Sequence, residues 1–447
     1  MENQATIGKG VDTITVLLYY ALVLVGFIAI FSVEFRDGDA FFQSLLELKK
    51  NYSKQVLFIG ISTLVGVFIL LTDSKFFTTI ANLLYMAGIL LMLLTFVIGK
   101  DISGSRSWIA LGGGFNLQPA ELCKVFTALA LAKYLSRQET EFTTFRSHLI
   151  AFALTLGPAL LSIAQKETGL ALVYFSFFLV MYREGLPAIY LIAGFSVVVL
   201  FVTAIVLSFS AYAIFMAATV LIACYLLWRK IKRNYGLLLF ILLLAGACVG
   251  FKYFVDHIVF DKILKPYQAE RVLSMFGKSY VPKDPVRIAQ FEKEREAGKK
   301  RDYTYNVRQS KIAIGSGGFA GKGFLKGVTT QGDFVPEQHT DFIFTAIGES
   351  FGFWGSTLLL LLYFVLLYRI ITLAERQRST FSRVYAYSVA SILLFHVMIN
   401  IGMTIGLMPV IGITLPLLSY GGSSLVTFTI LIFIMLRLDA DRSMVLR

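Results

Sequence analysis

Apolar runs of about bilayer length follow one another along most of the chain. They fall near 12–33, 55–72, 76–98, 119–135, 148–164, 168–183, 187–208, 211–228 and 235–256. After a long polar stretch come three more, near 342–368, 384–410 and 413–436. An α-helix needs roughly 20 apolar residues to cross the hydrocarbon of a bilayer. The pattern therefore predicts an all-α polytopic membrane protein, a bundle of about 10–12 transmembrane helices with one large extracytoplasmic loop. The closely spaced runs 148–183 and 187–228 set the spread in that count. Three regions follow within one integral membrane domain: N-terminal helices over 1–256, the loop over 257–341, and C-terminal helices over 342–447. The segment after Asp12 has no short apolar core followed by a small-residue cleavage site, so it reads as a retained first helix.

Composition narrows the class. With 57% of 447 residues hydrophobic and only 15% charged, a soluble globule is excluded. The formal charge of +13 suits basic cytoplasmic loops and an anionic ligand, and nothing in the pattern points to nucleic acid. Placing the N-terminus inside puts Arg137, Arg146, the run 229–233, Arg369, Arg376, Arg378 and Arg383 on the inner side, together with a tail holding Arg437, Arg442 and Arg447. That bias orients both termini to the cytoplasm and 257–341 to the outside. From His257 to Thr340 there are 15 Lys+Arg and 9 Asp+Glu, a net of 15 − 9 = +6. Residues 291–301 (FEKEREAGKKR) read as a short charged helix or a solvated excursion. Cys123, Cys224 and Cys248 all lie in apolar runs, as buried spectators do. No Cys, His or acidic cluster has metal-ligand spacing, and His148, His257 and His396 receive no role.

Most of the chemistry collects in 309–352. Gly315, Gly317, Gly318, Gly321, Gly323 and Gly327 surround Lys322 and Lys326, and Pro336, Glu337, Gln338, His339, Thr340 and Asp341 then run straight into an apolar segment. The glycines do not form a P-loop, since Ser316 stands where its first Gly should be and Gly323 follows Lys322. Backbone N–H groups freed by glycine, with two lysines beside them, could hold a phosphate-bearing ligand; an ordinary flexible loop explains the same residues. At Asp341 a carboxylate stands where a polar loop meets a membrane helix.

Ionisable residues inside the apolar runs are costly and become functional candidates. Glu121 and Lys124 share one face of a helix opened by Pro119, either as a structural ion pair or as part of a site. Arg106 lies beside Trp108 in an outer loop. Glu167 sits in 165–169 (QKETG), which interrupts two apolar runs. Asn400 and the segment 416–424, including Ser423, break apolar helices and either pack against other helices or line a site.

The motifs QSKIAIGSGG (309–318), PEQHTDFIF (336–344) and LPLLSYGGSS (415–424) resemble signatures of the SEDS family (shape, elongation, division and sporulation), nearer its RodA than its FtsW branch. The segments RSW (106–108), QPAE (118–121) and YQAERV (267–272) fit as well, and the resemblance covers most of the chain in one order. It implies a peptidoglycan glycosyltransferase in the bacterial inner membrane that polymerises lipid II into glycan strands outside the cytoplasm. The implied partners are a class B penicillin-binding protein, which is a transpeptidase, and the rest of the elongation machinery. The family's essential aspartate maps onto Asp341, and its helix-borne Glu and Lys map onto Glu121 and Lys124. Two departures stand out. Ten spans are usual, whereas 187–256 holds three helices where one is expected. The usual Gln-Pro-Asp-Leu-Gly also reads Gln165-Lys-Glu-Thr-Gly169, which keeps an acid as Glu167.

Glycan polymerisation needs a base near the attacking sugar hydroxyl and positive charge near the pyrophosphate. Asp341 suits the first; Arg106, Lys322 and Lys326 suit the second. Gln338, His339, Glu167 and Ser423 are supporting candidates. No cofactor is required, although a divalent cation (Mg or Mn) could assist the pyrophosphate. The rival functions are a lipid II flippase and a non-catalytic scaffold for the transpeptidase. A flippase should show repeated halves with helices broken at mid-membrane, and no such repeat is visible. A scaffold would leave the residues around Asp341 idle.

Overall fold

The computed structural model describes residues 10–36, 47–102, 105–112, 115–137, 142–264 and 303–442, with isolated positions between 269 and 292. The charged stretch 291–301 falls outside the described residues apart from position 292. Residues up to Leu186 and from Asn306 onward form one compact unit, and Pro187–Tyr305 form a second.

In the first unit, α1 (Thr13–Glu34) opens at Asp12, whose carboxylate accepts hydrogen bonds from the Thr15 amide at 3.0 Å and its hydroxyl at 2.6 Å. The chain then forms α2 (Asn51–Leu71) and α3 (Ser74–Ile98). A small antiparallel meander comes next, β1 (Lys100–Ile102), β2 (Ser105–Gly112) and β3 (Phe115–Leu117), an addition to the all-α expectation. Pro119 occupies the first turn of α4 (Pro119–Leu135), where its missing N–H costs no helical hydrogen bond. After α5 (Phe145–Ala164), the expected span 168–183 is two short helices, α6 (Thr168–Tyr174) and α7 (Phe177–Arg183).

The second unit holds α8 (Ala188–Val206), α9 (Phe209–Leu226), the short basic α10 (Trp228–Arg233) and α11 (Tyr235–Phe254), which runs on as a π-helix over Val255–Ile263. Its small core includes Ile205, Tyr212 and Val255. The three long apolar helices expected within 187–256, two more than the resemblance implies, are therefore present.

The chain then forms α12 (Tyr303–Ser316), α13 (Val328–Gln331), α14 (Ile343–Glu375), α15 (Thr380–Thr404) and α16 (Gly422–Ala440), which from Asn306 onward belong to the first unit. Two expected spans shrink here. The run 384–410 stops being helical after Thr404, and 413–436 becomes helical only at Gly422, because 405–421 is irregular chain that folds over the site. Among the described residues ten helices are long and apolar enough to cross a membrane; α4 and the α6–α7 pair are shorter.

Packing relies on small residues. A Cβ on Gly66 of α2 would sit 2.7 Å from the Phe433 ring of α16, and one on Gly88 of α3 would sit 2.9 Å from Phe126 of α4. Such positions let helices approach closely in lipid, where no hydrophobic force drives them together. Leu64, Phe68, Leu83 and Val97 are largely exposed on α2 and α3, as lipid-facing side chains are.

The two ends of the first unit differ in chemistry. One end is laced by ion pairs: Arg369 with Asp12, Arg376 with Asp439, Arg383 with Glu184 (2.8 Å) and Arg437 with Asp441 (3.0 Å). Burial alone would raise the Asp12 pKa, but hydrogen bonds from Arg369 and Thr15 outweigh it and hold the carboxyl at about 2. The other end carries the meander, the 317–342 segment and the 405–421 chain.

Candidate active site

The glycine-rich segment has a mechanical role that neither reading of its sequence anticipated. Helix α14 is broken at Gly352, where φ is 64° and ψ −154°. The break leaves carbonyls and N–H groups without helical partners, and the 318–323 turn supplies them. Lys322 N–H donates to the Glu349 carbonyl and Gly323 N–H to that of Ser350, both at 3.0 Å; Phe353 N–H donates back to Gly318 O at 2.9 Å. A Cβ on Gly321, at φ 80°, would lie 2.6 Å from the Phe351 backbone, so only glycine fits. Residues 309–316, expected as part of a loop, belong to α12.

Glu349, fully buried in the first part of α14, organises the neighbouring 322–330 segment. Its carboxylate accepts from Lys322 Nζ at 3.0 Å, from the Thr329 and Thr330 amides at 2.9 and 2.8 Å, and from the Thr330 hydroxyl at 2.6 Å. Lys322 thus has a partner inside the protein, whereas Lys326 is exposed. Gln338 is buried and donates to Thr330 O at 3.0 Å and to Asp333 at 2.7 Å, fixing the turn that leads to Asp341. His339 and Gln338 also line a cavity of about 440 Å³ with Arg36, Lys50 and Glu337.

Asp341 is half-buried just ahead of α14, whose N-cap is Phe342. Its peptide is braced from two sides. The fully buried Asn400 on α15 donates to Asp341 O at 2.8 Å and to Ile413 O at 2.7 Å. Ser419 donates to Thr340 O at 2.6 Å while accepting from the Leu415 amide at 2.8 Å, and Tyr420 N–H reaches His339 O at 2.9 Å. A Cβ on Gly412 (φ 72°) would approach the Asp341 carboxylate to 3.4 Å. The 405–421 chain therefore wraps the residues around Asp341. Ser423, at the start of α16, accepts from the Gln118 amide at 3.2 Å and so connects this group to the head of α4.

Within α4, Lys124 Nζ donates to Glu121 Oε2 at 2.9 Å, both side chains being almost wholly buried. The same ammonium lies 2.8 Å from His396 Nε2 and 5.1 Å from the centre of the Phe428 ring. Sequence reasoning missed His396. The available signal was its four-residue spacing from Asn400, two polar residues on one face of an otherwise apolar helix.

Glu167 accepts from Ser107 at 2.6 Å, and Ser105 donates to Gln165 O at 2.9 Å, so the 165–169 interruption is tied to β2. Strand alternation buries Ser105 and Ser107 and leaves Arg106 exposed between them. Gly169 abuts the 411–413 chain; a Cβ there would lie 2.6 Å from Ile411 O. The geometry thus gathers Asp341, His339 and Ser423 around one chain segment, joins Glu121 and Lys124 to it through His396, and ties Gln338 instead to Thr330 and Asp333. It places Lys322 on Glu349 and leaves Arg106 and Lys326 on the surface.

Fold and site together define a multi-pass helical membrane protein with a polar site at one end of its bundle and a buried ion pair leading into it. Residues 12–233 and 209–444 match the model of the FTSW_RODA_SPOVE family of cell cycle proteins, the two matches overlapping within the second unit. Among relatives, the peptidoglycan glycosyltransferase RodA of Treponema pallidum (strain Nichols) is 28% identical, covering 96% of this chain and 97% of that protein. The peptidoglycan glycosyltransferase MrdB of Escherichia coli (strain K12) is 30% identical, covering 81% and 79%. A chain from a structure of a peptidoglycan synthase complex, described as coordinating polymerization and crosslinking, superposes with a TM-score of 0.65 at 26% identity, covering 97% of this chain and 99% of that one. The chain belongs to the FTSW_RODA_SPOVE family.

Proposed function

We propose that this protein is a peptidoglycan glycosyltransferase that polymerises lipid II into glycan strands, releasing undecaprenyl pyrophosphate, for cell elongation and rod shape. The observation that carries the reading is Asp341: a half-buried carboxylate at the polar end of the bundle, its peptide held by Asn400 at 2.8 Å. The names of its RodA and MrdB relatives support the same activity. Asp341 acts as general base, taking the proton of the attacking sugar hydroxyl as that oxygen bonds to the anomeric carbon and the pyrophosphoryl lipid departs. Exposed Arg106 and Lys326 offer charge to the pyrophosphate, while Lys322 steadies the scaffold through Glu349. Glu121 and Lys124 hold a fixed charge pair within the bundle.

The reading places the protein in the bacterial inner membrane with its ion-paired end and both termini in the cytoplasm and Asp341 on the outer face, as its arginine distribution favours. Its partner is a class B penicillin-binding protein within the elongation machinery; the synthase complex that resembles this chain supports such a pairing. The test is the purified full chain given labelled lipid II, with and without that transpeptidase and with and without Mg2+ or Mn2+. Glycan strands that form with the partner present support the proposal. Lipid II crossing vesicle bilayers with no strand formed would instead make the protein a transporter.

A further inference from the structure

We propose that His396 is a positioning residue for this reaction: it fixes the Lys124 ammonium and, with Asn400 one turn further along α15, holds the segment that braces Asp341. Both side chains are fully buried and share one helix face. Nδ1 of His396 lies 3.2 Å from the Thr414 carbonyl oxygen. A carbonyl can only accept, so Nδ1 carries the hydrogen. Nε2 lies 2.8 Å from Lys124 Nζ, and an ammonium can only donate. The two neighbours thus impose one tautomer, with its lone pair aimed at Lys124.

One proton occupies the short gap between Nε2 and Nζ. Two would set donor against donor, and none would set lone pair against lone pair. The arrangement fixes where the Lys124 charge sits, between the Glu121 carboxylate at 2.9 Å and the imidazole. The Phe428 ring closes the site from another side, edge to face with His396 at 5.0 Å between centroids.

The second half of the inference concerns the chain. Ile413 and Thr414 present successive carbonyls to α15: Asn400 donates to the first and His396 to the second. Asn400 gives its other hydrogen to Asp341 O. A hydrogen-bonded path therefore runs from Glu121 through Lys124, His396 and the 413–414 peptide to Asn400 and the Asp341 backbone. Removing the imidazole releases Lys124 and the Thr414 carbonyl together. A displacement of about 1 Å at reacting groups is enough to cost on the order of 10²-fold in rate.

This inference rests on Asp341, Glu121 and Lys124 forming the active site, and the experiment separates the two ideas. His396→Gln carries an amide that can donate to Thr414 and accept from Lys124. His396→Asn is one methylene shorter and can satisfy Thr414 but not Lys124. Lipid II polymerisation is measured for both in the full chain with its transpeptidase, alongside thermal melting and Asp341→Asn. Expected is a kcat within about tenfold of wild type for His396→Gln and about 10²-fold lower for His396→Asn, with KM shifted less than about threefold in each. Equal losses in the two variants, or near-normal His396→Asn beside inactive Asp341→Asn, would overturn the role of His396 and leave the site intact. An active Asp341→Asn would overturn the site and this inference with it. If His396→Asn fails to fold, His396→Gln decides alone: tenfold or less supports the role, and a hundredfold loss removes it.

Discussion

Replacing Lys124 with methionine puts a number on the buried ion pair. Lys124 and Glu121 are 1% and 3% exposed, and the ammonium lies 2.9 Å from the carboxylate and 2.8 Å from His396. Methionine fills nearly the same volume, so packing changes little, but Glu121 is left as a buried carboxylate without its cation. Breaking a buried pair from one side costs about 3–5 kcal/mol, whereas removing both charges together is often close to neutral. Lys124→Met should therefore unfold about 3–5 kcal/mol more easily than wild type, and Glu121→Gln with Lys124→Met should recover most of that loss. Both should polymerise lipid II more slowly than wild type, because each removes the ammonium that links Glu121 to His396. Exchanging the two residues turns a carboxylate toward the His396 lone pair, so the swap should recover less stability than the neutral double variant. The assay is unfolding of purified protein in one detergent, with polymerisation followed in parallel. A wild-type melt for Lys124→Met, or a double variant as unstable as the single, would refute the reasoning.

Other parts of the molecule carry three further expected outcomes. Gly321→Ala forces an alanine to φ 80° with its Cβ 2.6 Å from the Phe351 backbone; it should cost about 1–3 kcal/mol for the backbone conformation and a similar amount for the clash, and a melt unchanged from wild type would contradict the clamp at Gly352. Asp12, whose pKa falls from 3.8 to about 2 on folding, contributes stability that is complete above the unfolded value and lost as pH falls through the folded one. Wild type and Asp12→Asn should thus differ in melting temperature at neutral pH and converge between about pH 4 and pH 2; a gap that stays constant would contradict the Arg369 contact. Lys326→Cys in a cysteine-free background should react with an impermeant thiol reagent in intact spheroplasts, and labelling only after lysis would reverse the proposed orientation.

Much of the architecture was legible because the length and spacing of apolar runs are local properties. Their ends were less so. The runs 384–410 and 413–436 include apolar residues of the 405–421 chain, of which Ile413, Leu415, Leu417 and Leu418 are buried by folding over the site instead of by spanning lipid. The meander was legible in principle, since Ser105, Arg106 and Ser107 alternate in and out, but the segment is short beside the helices. The features that stayed hidden depend on partners remote in sequence. Glycines that cradle an anion and glycines that clamp a broken helix look alike until Gly352 is seen to break α14. The partner of Lys322 lies 27 residues away, and that of His396 lies 272 residues away. A histidine inside an apolar run gives no local sign that it faces an ammonium.

The central claim is that Asp341 is the general base of glycan polymerisation. Asp341→Asn is a stringent variant because the brace on this residue grips its main chain: Asn400 bonds the Asp341 carbonyl, and the N-cap of α14 is Phe342. Asparagine keeps shape and polarity but cannot take the proton. The measurement is the rate of strand formation from labelled lipid II by the purified complex, with melting temperature and transpeptidase binding recorded on the same samples. The account predicts a loss of about 10²–10⁴-fold with fold and partner retained. Strand formation near the wild-type rate would contradict it.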